Sequence, residues 1–284
     1  MSTPITQADT VAAGPPRPAR PQAVLAVRSR ERRSAHTVRV VAGGAGFAAF
    51  RTNEFTDKYV KIVFVDPALG LTPPYDLAAL RESLPPEQRP VTRTYTVRRV
   101  EADLEQITLD FVVHGDLGLA APWAARAEPG DLLTLSGAGG AYRPNPALDW
   151  HLFVGDESAL PAINSALEAL PSNARGIAYL ESSDDSDHLD TPAPSGVDVR
   201  WLHRTDPGSR PTLLAEAITA GEWRPGRVGV FAHGERESMK AVRAALKTRL
   251  TPDDDLSLSG YWAYGRTEDL FQAEKRQPVG QIDG

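Results

Sequence analysis

The sequence predicts a two-domain protein: an antiparallel β-barrel followed by an α/β domain built on a parallel sheet. Three observations carry this. From His36 to about Pro146, short apolar runs are punctuated by Gly and Pro, the rhythm of an antiparallel barrel. After Pro146 the pattern becomes buried strand, loop and helix, which predicts parallel strands joined by crossover helices. The length of 284 residues suits two ordinary domains at roughly 100–200 residues each. The expected division is a flexible tail over 1–34, the barrel over 35–146, the α/β domain over 147–266, and a C-terminal tail or helix over 267–284.

The tail reading rests on Pro15, Pro16, Pro18 and Pro21, followed by Arg28, Arg30, Arg32 and Arg33, with few large apolar residues to build a core. Capture of anionic partners by the arginines is the other reading. Barrel strands are expected in HTVRVVA, YVKIVFV, TRTYTVRRV, ITLDFVVH and DLLTLSG. In the fourth, Ile107, Leu109, Phe111 and Val113 alternate with Thr108, Asp110, Val112 and His114, giving one apolar and one more polar face.

In the second half, buried strands are expected in HLFVG, GIAYLE, VDVRWLH, RVGVFAHG and LSLSGYW. A helix over about Ser158–Leu170 places Leu160, Ile163, Leu167 and Leu170 at helical spacing, with Ser158 as its N-cap and Pro171 as its stop. Two more helices are expected at Leu213–Ala220 and Met239–Leu250. In the latter, Val242, Leu246 and Leu250 oppose Lys240, Arg243 and Lys247. The polar stretch Ser182–Gly196 carries Asp184, Asp185, Asp187, His188 and Asp190 but no calcium-loop spacing, and reads as a solvated loop. No metal site is expected.

Composition narrows the chemistry. Cysteine is absent, which removes disulfides, Cys-based zinc sites and Cys-ligated iron–sulfur clusters, so redox activity would need a bound cofactor. A net charge of −6 argues against general nucleic-acid binding while leaving room for a local basic pocket. No run approaches the roughly 20 apolar residues of a membrane span. The N-terminus lacks the apolar core of a secretory signal, so the cytoplasm is the expected location.

The segment with most chemical content is Arg93-Thr94-Tyr95-Thr96. Strand alternation puts Arg93 and Tyr95 on one face, roughly 7 Å apart, where a cation and an aromatic plate can engage one extended ligand. A guanidinium suits a phosphate and a Tyr ring a flat heterocycle, while Thr96 adds a hydroxyl. An ordinary Thr/Tyr-rich strand with an exposed Arg fits the same four residues. Gly155-Asp156-Glu157-Ser158-Ala159-Leu160-Pro161 joins the first buried strand to its helix, where α/β sheets bind nucleotides, although it lacks G-x-G-x-x-G. Two capped strand-to-helix turns, here and at Gly234-Glu235, are the alternative.

Over about Val38 to Arg266 the chain resembles the siderophore-interacting proteins, a branch of the ferredoxin–NADP reductase-like flavoproteins. The resemblance lies in TDKYVKIVF, RTYTVRRV, DFVVHGDLGLAAPWAARAEPGD, VGDESALPAI, AHGERESMKAVRAAL and SGYWAYGRTED, in that order. It implies an FAD-binding barrel in which Arg93, Thr94, Tyr95 and Thr96 hold the cofactor, with Arg93 at the pyrophosphate and Tyr95 and Thr96 at the isoalloxazine and ribityl portion. Asp110, Val112, His114 and Gly115 form the second FAD segment it implies, and Leu119–Ala124, with Ala120, Ala121, Trp123 and Ala124, a pyrophosphate-binding turn. Ala121 stands where a Ser or Thr is common.

The resemblance further implies NADH or NADPH as electron donor, with Asp156, Glu157, Ser158, Gly234 and Glu235 as the nicotinamide site, or else a reduced ferredoxin. The implied substrate is a ferric siderophore, whose hard oxygen donors call for a positive pocket. Lys58, Lys61, Lys240 and Arg266 are the candidate cations, whereas Ala263 and Tyr264 stand where a basic residue is frequent. The flavin carries the chemistry, so no catalytic acid, base or nucleophile is expected. Two other activities fit: an NAD(P)H reductase acting on ferredoxin or flavodoxin, and a ferric-siderophore carrier without turnover.

Overall fold

The computed structural model describes residues 21–115, 118–204 and 211–282. Strands β1 (Gln22–Arg32), β2 (Thr37–Gly43), β3 (Tyr59–Phe64), β4 (Val91–Glu101), β5 (Gln106–Val112) and β6 (Leu132–Gly139) close a barrel in the order β1-β2-β5-β4-β3-β6. Neighbouring strands are antiparallel throughout. Helix α1 (Leu77–Ser83) lies in the β3–β4 connection, and α2 (Ala120–Arg126) packs on β2 and β5.

Alternation builds the barrel core. Val38, Val40 and Ala42 from β2, Ile107, Leu109 and Phe111 from β5, and Leu133 and Leu135 from β6 are buried together. Each such aliphatic or aromatic side chain contributes roughly 1.5–3 kcal/mol through removal from water. Thr108 and Asp110, on the more polar face of β5, are buried as well, and Arg39 of β2 covers Asp110 with bonds of 2.7 and 2.8 Å.

The expected flexible tail is corrected by β1. Residues 1–20 lie outside the described residues, but Gln22–Arg32 pairs with both β2 and β6 and closes the barrel. Ala23, Leu25 and Val27 supply its buried face. Their alternation is the strand signal, and the flanking prolines and arginines mask it when composition alone is weighed.

The second domain contains β7 (Trp150–Gly155), α3 (Leu160–Ala169), β8 (Arg175–Ser182), β9 (Gly196–His203), α4 (Leu213–Ala220), β10 (Val228–Glu235), α5 (Arg236–Lys247) and β11 (Asp255–Trp262). The strands form a parallel sheet in the order β11-β10-β7-β8-β9. Helix α3 covers one face; α4 and α5 cover the other. This two-sided cover explains why all of β7 and β10 is buried. The chain runs from β7 outward through β8 and β9, then returns to place β10 on the other side of β7. That reversal makes the carboxyl edge between β7 and β10 the topological switch point, where such sheets bind ligands.

Two helix starts differ from expectation. Helix α3 begins at Leu160 with Pro161 in its first turn and has no side-chain cap, because the Ser158 hydroxyl donates to Asp156 instead (2.5 Å). Helix α5 begins at Arg236, where Glu235 accepts from the N–H groups of Glu237 and Ser238. Its predicted inner face survives in the buried Val242 and Leu246, joined by Met239. The C-terminal segment, expected as tail or helix, contains α6 (Glu268–Glu274), capped by Thr267.

Among the ties between the domains, two flank the cavity-forming strands. Arg98 of β4 holds Glu168 of α3 through bonds of 2.8 and 2.6 Å, and the Ser165 hydroxyl donates to the Arg98 carbonyl. On the other side, Asp187 accepts from His36 Nδ1 (2.7 Å), the His36 N–H (2.9 Å) and the Ser34 hydroxyl (3.0 Å). The 182–196 stretch therefore departs from a wholly solvated loop, since Asp187 is buried at the domain contact. No helix among the described residues is long and apolar enough to cross a membrane.

Candidate functional site

A cavity of about 950 Å³ lies between the barrel and the carboxyl edge of the parallel sheet, with α6 along one side. The barrel is built to leave it open. Strand β5 pairs with β4 only from Val97 to Glu101, so residues 91–96 of β4 present an edge without a neighbouring strand. Backbone donors on such an edge must find another partner.

Along that edge, Thr94, Tyr95 and Thr96 line the cavity, facing Asp110, Val112 and His114 at the end of β5. Tyr95 packs against Phe111 of the barrel core with ring centroids 4.3 Å apart. Burial pushes its phenol up, so the ring is a neutral plate at working pH. His114 is held below the ordinary imidazole range, chiefly by burial and then by neighbouring His36, whose ring lies 5.4 Å away.

The Arg93 end is an anion-binding arrangement. The Thr94 N–H and hydroxyl donate to Glu268 of α6 at 3.0 and 2.9 Å, while Arg93 pairs with Asp269 at 3.2 Å. Arg93 and Lys61 both lie 3.9 Å from the Glu268 carboxylate, and Lys61 also reaches the Thr94 hydroxyl. A guanidinium, an ammonium, a hydroxyl and a strand-edge N–H without a strand partner, all converging on one carboxylate, are donors that also suit a phosphate group. With the Tyr95 plate and the cavity volume, the donor set suits a flavin dinucleotide.

Arg93 is not among the residues that line the cavity, and the remaining FAD candidates also sit apart from its lining. Gly115 turns the chain after β5 with a left-handed φ of 60°. Ala120 and Ala124 of α2 are buried in the barrel core, Ala121 is packed against it, and Trp123 meets Phe111 at 5.6 Å.

At the sheet edge, Glu157 and Ser158 line the cavity, whereas Asp156, Gly234 and Glu235 act on the turns themselves. Asp156 accepts from the Ser158 N–H and hydroxyl, the Glu235 N–H and Trp262 Nε1, which fastens the ends of β7, β10 and β11 together. A Cβ at Gly234 would stand 2.8 Å from that carboxylate, so the close approach requires glycine. Glu235 caps α5 and accepts from the Tyr264 N–H. Capped turns thus describe these three residues.

Glu157 is engaged too. Arg204 grips it at 2.9 and 2.5 Å and reaches Glu181 at 3.3 Å. Burial pushes the Glu157 carboxyl up despite Arg204, and it pushes Glu181 up to about 7, with Asp156 adding repulsion.

Of the four substrate cations, Lys61 and Arg266 line the cavity. Lys58 and Lys240 do not, which narrows the expected set. Lys58 opens into a separate groove with Arg143 and Glu168, and Lys240 bonds Glu237 and the Val279 carbonyl on α5's outer side. Sequence reading missed Lys275, which lines the cavity and is lowered by burial and by Lys61. It also missed His233, stacked on Phe231 at 4.0 Å and bonded to Ser257 through Nε2. Burial pushes His233 down to about 3, so it is neutral, and its Nδ1 has no partner among the described residues. Its place in AHGERESM, beside Gly234, was the available signal.

Two family models match the chain: "Siderophore-interacting FAD-binding domain" over residues 26–142 and "Siderophore-interacting protein" over 148–265. The first begins within β1, in keeping with that strand's place in the barrel. An uncharacterized protein of Mycobacterium tuberculosis is 44% identical over 85% of this chain and 90% of its own length. Ferric vibriobactin reductase ViuB of Vibrio cholerae is 34% identical over 85% of this chain and 89% of its own. Among solved structures, a siderophore utilization protein from T. fusca matches with a TM-score of 0.72 and 34% identity, covering 87% of this chain and 94% of that one. With barrel, sheet, cavity and both halves of the sequence in agreement, the chain belongs to the siderophore-interacting protein family, and its barrel is an FAD-binding domain.

Proposed function

We propose that this protein is an FAD-dependent reductase of ferric siderophores in the cytoplasm, taking electrons from NADH or NADPH, or from a reduced ferredoxin. The observation that carries the reading is the shared cavity. The strand edge of Thr94, Tyr95 and Thr96 and the switch-point residues Glu157 and Ser158 face the same space, with Lys61, Arg266 and Lys275 along one side. A flavin acceptor and its electron donor need such adjacency, and a ferric chelate with anionic oxygen donors needs the cations. The similarity to a ferric vibriobactin reductase supports the same reading.

When bound, the flavin supplies the conversion between a two-electron donor and one-electron acceptors. The chain's own part is to bind and orient. Arg93 and the Thr94 donors would hold the phosphates and Tyr95 would pack against the ring system, with the neutral His233 ring in the cavity wall. The balance is one hydride from the nicotinamide for two Fe(III), with release of one proton. Fe(II) is held less firmly than Fe(III) by hard oxygen ligands, so reduction releases the metal.

Anaerobic addition of NADPH or NADH to the holoprotein should bleach the flavin band, and a ferric siderophore should restore it while a chelator traps Fe(II). Reduced ferredoxin replaces the nicotinamide in a parallel arm. A flavin that stays reduced after the siderophore is added would overturn the substrate assignment.

A further inference from the structure

A second site lies outside the cavity, at the far end of β9. His203 ends that strand, and Asp185 and His188 belong to and follow the short turn Asp185–Asp187. Three atoms meet there. His188 Nε2 is 2.9 Å from His203 Nε2, His203 Nε2 is 3.2 Å from Asp185 Oδ1, and His188 Nε2 is 3.7 Å from the same oxygen. The circle through these three atoms has a radius of about 1.9 Å. A point about 2.1 Å from all three therefore exists just off their plane, the distance of zinc from imidazole nitrogen and carboxylate oxygen.

Hydrogen bonding accounts for only part of the arrangement: a single proton on His203 Nε2 faces two acceptors, His188 Nε2 and Asp185 Oδ1, and the other placements serve fewer contacts. A proton on His188 Nε2 serves the contact to His203 but leaves the His203 lone pair facing the Asp185 carboxylate. A proton on both rings sets two N–H groups against each other. A single cation satisfies all three lone pairs. The ligands are also held in place: the His188 ring stacks on Trp201 at 4.3 Å and 17°, and Asp184 caps the turn by accepting the Ser186 N–H at 2.8 Å.

We propose that Asp185, His188 and His203 form a binding site for one divalent first-row transition-metal ion. Two imidazoles and one carboxylate are the donors such ions take, and exposure of the group leaves its remaining positions to water. The turn also carries Asp187, which holds His36 and Ser34 of the barrel. An ion on the outer side of this turn stiffens the clasp between the domains. The assignment is independent of the reductase reading.

The test is calorimetric titration of the metal-stripped, FAD-loaded full chain with Zn2+, alongside His188→Ala, His203→Ala and Asp185→Asn. The wild type should bind one Zn2+ per chain and melt at higher temperature with it. Each variant should bind at least tenfold more weakly and lose the thermal shift, while keeping its flavin content and its melting temperature without metal. No saturable binding by the wild type at 100-micromolar-order Zn2+ overturns the proposal, and so does binding that survives in all three variants. A variant that loses flavin or melts early is replaced by the corresponding His→Gln exchange, read by the same titration.

Discussion

Replacing Glu268 by Gln should make the protein hold FAD more tightly, an unusual direction for a mutation in a binding site. Glu268 accepts from the Thr94 N–H and hydroxyl at 3.0 and 2.9 Å and lies 3.9 Å from the Arg93 and Lys61 charges. A cofactor phosphate drawn to those donors must displace this carboxylate. Hydrogen bonds to a charged acceptor are worth about 1.5–3 kcal/mol, against about 0.5–1.5 for neutral partners. Neutralising Glu268 thus weakens the competitor by roughly 1–2 kcal/mol, or about 5–30-fold in affinity at 1.4 kcal/mol per decade. Arg93→Ala should act in the opposite sense, weakening FAD about 10–100-fold through loss of one charge-assisted contact. FAD release on dilution of the holoprotein, followed by flavin fluorescence, measures both. Unchanged or faster release from the Glu268→Gln variant would refute the competition. Unchanged release from Arg93→Ala would remove Arg93 from the phosphate site.

Two further outcomes follow from other parts of the molecule. Leu25→Ala, within the segment that composition assigns to a tail, should cost about 2–5 kcal/mol in urea unfolding because Leu25 is fully buried in the barrel; a loss below about 0.5 kcal/mol would detach β1 from the core. Glu181 titrates near 7 in the fold against 4.5 for the free side chain, so the folded state binds the proton more tightly and stability falls as pH rises from about 4.5 through 7. The loss attributable to this group is up to about 3 kcal/mol at 1.36 kcal/mol per unit, and Glu181→Gln should remove it; identical stability differences between pH 5 and pH 8 in the variant and the wild type would exclude it.

Strand and helix periodicity reached most of the fold because each element needs its own repeating apolar face. Ile107, Leu109 and Phe111 declared β5 by alternation, and Val242 and Leu246 declared α5 by helical spacing. Strand β1 escaped because only Ala23, Leu25 and Val27 mark it, between prolines and arginines. Its place depends on hydrogen bonding not only to the adjacent β2 but also to β6, which is distant in the chain. The same limit shaped the site. Thr94, Tyr95 and Thr96 could be read from a local motif, whereas Glu268, His233 and Lys275 reach the cavity from elements far along the chain.

By itself the sequence determined the order of a barrel and a parallel α/β domain, the family, and the cofactor class, since all three are written in local spacing and in contiguous motifs. Only the tertiary structure decided which charges share a space. It turned Asp156 and Glu235 into fasteners of the sheet edge, set Lys58 and Lys240 apart from the cavity, and brought His203 onto Asp185 and His188. Electrostatic and coordination chemistry act over a few ångströms in space, and chain folding sets those distances across separations that no local pattern spans.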